Sequence, residues 1–574
     1  MTRTKEASIQ TAGRMKRTVR AHPRRNLLLG GFVAIAGLAL LGCAGWLYVR
    51  DHEITLLSDV FTRERKQETE EPSVIVICTE TSLPSAAIDT INTWSQSGDL
   101  PEAVDVSVEP YTAERPASCD VVVSSHDEGD FDLVWRKYYV LAAAVKSPID
   151  SVTNDELTEL LGGGSIDAGG ASITAVIDAD FQEDLDNAFG LGIRLNISDD
   201  VVAVVSADPS LVGVIPFELL TPRIKEIDIA GSSLLRRTAI DSYPLLSEVW
   251  VSEGEFPVLF SKLQTALGPT NYDESAVSTV VVTGTTVVGA RGLYQQATTS
   301  GDWLYAWRSV GDILREADIA HVSNEGSFVD GCTQGGWSMV FCGSTESFEG
   351  LTWAGVDAVG LTGNHILDFG EANFLHTLEM YEDAGMKYFG GGANSTEAHT
   401  AAVFDVGDMK VAFLGYNMIP PASYNATSMS PGSAGLDEHA IKADIARVRD
   451  DVDFIFVDMQ WGNEYEHQPN SYQTSYGHIA IDAGADIVTG VHPHWVQTIE
   501  YYDGGVIFYG LGNFLFDQTW SQETREGIMV RHYFYDRAYI GYELIPTILS
   551  ETYRPEPADG ADAERIKGYA CAGL

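Results

Sequence analysis

Apolar and polar residues follow one another along this 574-residue chain in blocks of different character, and the blocks predict its elements. Residues 27–49, LLLGGFVAIAGLALLGCAGWLYV, form an apolar run without a charge. A bilayer-spanning helix needs about 20 such residues, so the run predicts an N-terminal transmembrane helix. Residues 50–72 are charged and polar without period, the texture of a stalk. From Ser73 to Ser252, short apolar runs (74–77, 121–123, 138–145) alternate with stretches of helical spacing such as 85–96. Residues 253–276 read as a linker with a helical middle at 259–267. The alternation resumes at Val277 and lasts to about Ile548. Residues 549–574, rich in Pro, Asp and Ala, read as a tail. Strand and helix patterns in alternation make both large blocks, 73–252 and 277–548, α/β domains.

Charge refines this picture. Residues 1–25 carry eight basic side chains and one acid, whereas the whole chain has a net charge of −46. A basic leader before the apolar run and Arg50-Asp51-His52-Glu53 after it place the N-terminus in the cytoplasm and the two domains outside the cell membrane. Leu40-Leu41-Gly42-Cys43 offers a second anchoring, as a lipoprotein box with Cys43 lipidated. So acidic a body repels nucleic acid, which excludes that partner class. Six cysteines in an exported chain invite disulfides. Cys332 and Cys342 flank a glycine-rich loop they could close, Cys78 and Cys119 could pair across neighbouring strands, and Cys571 is left over.

In the first block, Thr153 followed three residues later by Glu156 is a capping box opening a helix. Gly162-Gly163-Gly164-Ser165 is either an anion cradle or a surface turn. Residues 139–162 and 207–231 resemble the second half of periplasmic solute-binding proteins of the phosphate-binding type. The resemblance implies a ligand cleft in 73–252.

The second block carries the chemistry. Four polar clusters each follow an apolar run: Ser323-Asn324-Glu325; Thr362-Gly363-Asn364-His365 with Asp368 beyond; Gln460-Trp461-Gly462-Asn463-Glu464-Tyr465; and His492-Pro493-His494. Strand ends of one sheet lie side by side, so loops distant in sequence build one cleft. Glu325, Asn364, His365, His492 and His494 together offer oxygen and imidazole donors for a divalent metal ion, with Mn, Zn and Fe all suited to the set.

The segments ADIAHVSNEGSF, AVGLTGNHILDFG, KYFGGG, KVAFLGYN, QWGNEYE, GVHPHWVQ and YGLGNFLFDQ resemble, in order, the CapA family of poly-γ-glutamate capsule synthesis proteins. That family has a calcineurin-like metallophosphoesterase fold. The resemblance implies such a sandwich for 277–548, with His365 and His492 as catalytic groups and Arg291, Gln460, Glu464 and Asn513 on the substrate side. It also implies work on an anionic envelope polymer beside other membrane capsule-synthesis proteins. Three positions depart from the family. Thr285 and Thr286 stand where it has an Asp after Gly, Gln460 where it has a His, and Val491 where it often has another His. Loss of a carboxylate and an imidazole puts a two-metal mechanism in doubt. A metal-dependent hydrolase or transferase, a non-catalytic polymer-binding assembly factor and a solute-sensing module are the readings left open.

Overall fold

The structure, a computed structural model, describes residues 73–574 except 97–103, 113–115, 127–128, 130, 180, 183–184, 187–194, 253–263, 266, 290 and 333–338. The basic leader, the apolar run 27–49, the stalk and most of the linker's helical middle lie outside the described residues. Among those described, no helix is long and apolar enough to cross a membrane.

Val- and Ile-rich runs in the first domain form strands because branched side chains pack well on a pleated surface. They make a mixed sheet in the order Val104–Tyr111, Ser73–Glu80, Val121–Ser124, Leu246–Ser252, Phe131–Ala144, Leu211–Pro216, Ala171–Ile177, Ser165–Ala168. The helix Ser85–Gln96 begins just after Pro84, as expected. Thr153 caps the helix Asn154–Leu161 in a full capping box with Glu156. The glycine stretch is this helix's end rather than an anion cradle. Gly163 N–H donates to the Leu160 carbonyl (3.0 Å) and Gly164 N–H to that of Glu159 (2.9 Å), so both amides are committed at a helix C-terminus. Disulfides join Cys78 to Cys119 and Cys332 to Cys342, while Cys571 is free and buried.

In the second domain two sheets face each other. One runs Lys387–Phe389, Ala358–Gly360, Ile319–Asn324, Val277–Val282, Glu526–Tyr535, Ala538–Leu549, Pro555–Pro557. The other runs Ala402–Val406, Met409–Asn417, Phe454–Gln460, Ile487–Val491, Gly505–Phe508, Ile499–Tyr502. Val280, Val282 and Ile319 of the first meet Val411, Phe413, Phe456 and Phe508 of the second in a mainly apolar seam. Burying each such side chain contributes roughly 1.5–3 kcal/mol. The helices Phe348–Ala354 and Glu371–Ala384 cover the outer face of the first sheet, with Leu351, Phe374 and Leu378 buried. Helices Glu438–Val448 and Ser471–Asp482 cover the second, through Ile441, Ile445 and Ile481. The order is helix, sheet, sheet, helix.

Two expectations change. Residues 549–574 are not a tail: Pro555–Pro557 pairs with Ala538–Leu549, and the helix Gly560–Cys571 buries Ala563, Ile566, Ala570 and Cys571. Nor do the two domains have separate cores. Tyr272, Val277, Tyr533 and Ile540 pack with the first domain's Tyr138, Phe217 and Leu245, and Val74–Leu574 is one unit.

Candidate metal centre

All four polar clusters leave the carboxyl ends of parallel strands. Ile319–Asn324 pairs in parallel with Ala358–Gly360, and Phe454–Gln460 with Ile487–Val491. Each sheet therefore delivers two loops to the same rim. Glycine makes the loops fit: a Cβ at Gly363 would lie 2.5 Å from the Glu325 Cα, so only glycine lets the Asn364-His365 turn rest on Glu325.

The rim holds two groups of side chains. In one, Glu464, His492 and His494 bring a carboxylate oxygen and two ring nitrogens within 4.8 Å of one another. Burial pushes His492 down to about 3, helped by its neighbours His494 and His365. It pushes His494 down to about 4, against an opposing hydrogen bond to Asn513. Both rings are therefore neutral and carry a lone pair, the form that ligates a metal. His494 is oriented through Nδ1, 2.8 Å from the Asn513 Oδ1, and the Asn513 amide in turn donates to the Thr524 carbonyl (2.8 Å). With Nδ1 held by that carboxamide oxygen, the other ring nitrogen, Nε2, faces Gln518 Nε2 at 3.3 Å. His492 (φ 92°), His494 (φ 60°) and Tyr465 (φ 64°) all have left-handed backbones, strain of a kind concentrated at functional sites.

The second group is Glu325, Asn364, Gln460, His365 and Asp368. Gln460 Nε2 donates to Glu325 Oε1 (2.7 Å) and to Asn364 Oδ1 (2.8 Å), tying the two sheets together. Glu325 is fully buried; burial raises its pKa, opposed by His365 and Gln460. His365 behaves unlike the other two histidines. Burial depresses it, yet the carboxylates of Asp368, Glu325 and Glu464 prevail and raise it above its ordinary value. Asp368 is the anchor: its Oδ2 lies 2.7 Å from His365 Nδ1 and accepts from Phe341 N–H (2.9 Å), while Oδ1 accepts from Tyr424 (3.2 Å).

The structure thus divides the expected ligands. His492 and His494 come together, with Glu464 rather than Glu325 as their carboxylate. Glu464 was expected on the substrate side, and its exposure suits that role as well as a ligand's. Asn513 is buried and holds His494, so its role is positioning, and Gln460, buried too, spans Glu325 and Asn364. Arg291 pairs with Asp517 (2.8 Å) and lies over the Phe341 ring, whose centroid is 4.5 Å from that of His365. Thr285, in place of the family's Asp, accepts a hydrogen bond from the His492 N–H (3.3 Å) and faces the site with a hydroxyl. Below the rim, residues missed in the sequence line the seam between the sheets. His321 Nε2 lies 3.7 Å from Asp458 Oδ2, both fully buried. The signal was a single His and a single Asp inside the apolar runs IAHVSN and FIFVDMQ.

The helix–sheet–sheet–helix sandwich thus gathers at its parallel strand ends two buried histidines, a carboxylate and a histidine paired with Asp368. Residues 279–518 match the model of the family "Bacterial capsule synthesis protein PGA_cap", in line with the resemblance to CapA. The "Capsule biosynthesis protein CapA" of Bacillus anthracis is 30% identical over 226 residues, covering 38% of this chain and 54% of that protein. The chain thus spans about half the length of that relative. A solved 5'-nucleotidase precursor from Thermus thermophilus is 14% identical, with a TM-score of 0.28, over 49% of this chain and 56% of that one. An ABC-type phosphate transport receptor from Vibrio cholerae is 14% identical, with a TM-score of 0.25, over 33% and 94%. Likenesses at those scores carry no argument about chemistry.

Proposed function

We propose that the chain is a membrane-anchored, cell-surface protein of capsule-polymer synthesis, export or anchoring, and that its second domain is a metal-dependent hydrolase or transferase. One observation carries the reading: Glu464, His492 and His494 converge beside His365 in a capsule-synthesis domain. One carboxylate and two imidazoles are a donor set that suits a catalytic zinc ion or a related divalent metal. When bound, such an ion polarises a carbonyl or phosphoryl oxygen, or activates water. His365, kept protonatable by Asp368, supplies a proton to the leaving group as general acid. Glu325, Asn364 and Gln460 hold the floor of the cleft, and Arg291 stands at its side. The polymer and the capsule-synthesis partners follow from the CapA name of the relative, and the anchor from residues 27–49.

A second reading has its own support: Gln460 and Thr285 replace a ligating His and Asp, favouring a non-catalytic assembly factor. Metal analysis of the purified ectodomain tests the first reading. Wild type is expected to retain about one equivalent of divalent metal, and His492→Ala and Glu464→Ala to lose it. Unchanged metal in both variants would sink the metal centre. Surface polymer lost on deletion but kept with His365→Ala and His492→Ala would establish the assembly role instead.

A further inference from the structure

The first domain holds a cluster that the metal reading leaves unused. Glu80 ends the strand Ser73–Glu80, and Ser124 ends its parallel neighbour Val121–Ser124. Three donors from that neighbouring strand end converge on one atom, Glu80 Oε2: Ser125 N–H at 2.8 Å, Ser125 Oγ at 2.9 Å and Ser124 Oγ at 2.9 Å. Ser82 Oγ stands 2.9 Å from Ser125 Oγ and closes the ring. His126 Nδ1 lies 3.5 Å from the same oxygen and 3.2 Å from Ser124 Oγ. The Glu80 side chain is 13% exposed, at the carboxyl ends of two parallel strands. Carboxyl ends of parallel strands are where open α/β sheets take ligands. Hydroxyls and a backbone amide converging on one negatively charged oxygen make an oxyanion nest. The glycine stretch at 162–164 has its amides committed, so it offers no rival site in this domain.

We propose that this donor cluster is an oxyanion-binding site which the chain keeps filled with the Glu80 carboxylate, so that a solute bearing a carboxylate or phosphate group binds only by displacing it. The solute's oxygen would take the place of Oε2 against Ser124, Ser125 and Ser82. The His126 side chain, 61% exposed beside the cluster, would meet the remainder of the anion. Glu80 is thus an internal competitor that sets a threshold concentration for the ligand. This inference stands apart from the metal centre, and its failure would leave that reading untouched.

Chemical rescue of the full-length protein tests it, because the two domains share a core and are not separable. Glu80→Ala is expected to melt below wild type and to regain the loss saturably with sodium formate or inorganic phosphate, but not with chloride at equal ionic strength. Rescue by formate alone marks a planar carboxylate site, and rescue by phosphate alone a tetrahedral one. Wild type should respond only at roughly tenfold or more higher concentration, since ligand must first displace Glu80. Ser125→Ala in the Glu80→Ala background should abolish rescue. A Glu80→Ala protein indifferent to both anions, or a wild type with the same midpoint, overturns the proposal. Should Glu80→Ala not fold, Glu80→Gln decides. Its amide matches the nest poorly, so melting below wild type supports the site, and melting at the wild-type temperature overturns it.

Discussion

His365 and the pair His492 and His494 share one rim, yet their surroundings drive their protonation in opposite directions. Burial acts on all three; only His365 has a carboxylate in contact with its ring nitrogen, through Asp368. Replacing Asp368 by Asn keeps the shape and removes the charge. The His365 pKa is then expected to fall, because burial is left opposed only by Glu325 and the more distant Glu464. An NMR titration of the ring checks this, and an unchanged midpoint would remove Asp368 from the proton inventory. Deeper in the seam, Asp458 is pushed up to about 7, chiefly by burial, with Glu325 adding to the rise. A carboxyl raised in the folded state stabilises fully below its unfolded value, near 3.8, and that stability is lost as pH rises towards about 7. Asp458→Asn cannot ionise, so its melting temperature should gain on wild type between about pH 4 and 7 and then hold level. A constant difference across that range would contradict the buried acid.

At the scale of elements, the site is a property of strand ends. The polar clusters were readable because each follows a mainly apolar run, and a parallel sheet must open its loops at one rim. What could not be read was the partnership within the rim. Glu464 lies 28 positions before His492, and the two meet only because Phe454–Gln460 and Ile487–Val491 are adjacent, with Gln460 beside Val491. Sequence spacing favours Glu325 equally, but Glu325 lies in the other group, where Gln460 donates to it. His321 and Asp458 were hidden because one polar letter in a buried strand does not break its apolar texture. The Gly363 contact gives a sharp test of the loop geometry. Gly363→Ala drives a Cβ against the Glu325 backbone, which cannot rotate away. A loss of about 1–3 kcal/mol in denaturant unfolding is expected, as for overpacking elsewhere. Loss of metal would follow only if the displaced His365 turn reaches the Glu464 cluster.

At the scale of the molecule, the C-terminal segment decides how the parts hold together. Its composition resembled a tail because the helix Gly560–Cys571 has a narrow apolar stripe and four charged residues among twelve. Its importance comes from what it touches. Arg565 forms two hydrogen bonds to Glu526 Oε1, at 3.0 and 2.6 Å, and the Glu526 side chain is only 2% exposed. Lys567 reaches across to Asp150 of the first domain, which Lys225 also holds at 2.6 Å. Beside them Tyr501 donates to the Pro222 carbonyl (2.7 Å), and Arg236 pairs with Glu543 (3.4 Å). Removing residues 550–574 therefore strips a sheet edge, exposes Tyr542 and Leu544 of the shared seam, and leaves Glu526 without its cation. A buried carboxylate that loses its partner costs far more than a surface ion pair gains. Chains ending at Leu549 are expected to be insoluble or to melt well below wild type, whereas a true tail could be removed at no cost. Arg565→Ala isolates the ionic part. It should destabilise by about 1–3 kcal/mol, since Glu526 keeps one hydrogen bond from Gln522 (3.0 Å). Arg565→Ala in a Glu526→Gln background should cost much less, because the buried group is then neutral. Equal losses in the two backgrounds would mean that Arg565 acts by packing alone, and that the segment is held by its apolar stripe.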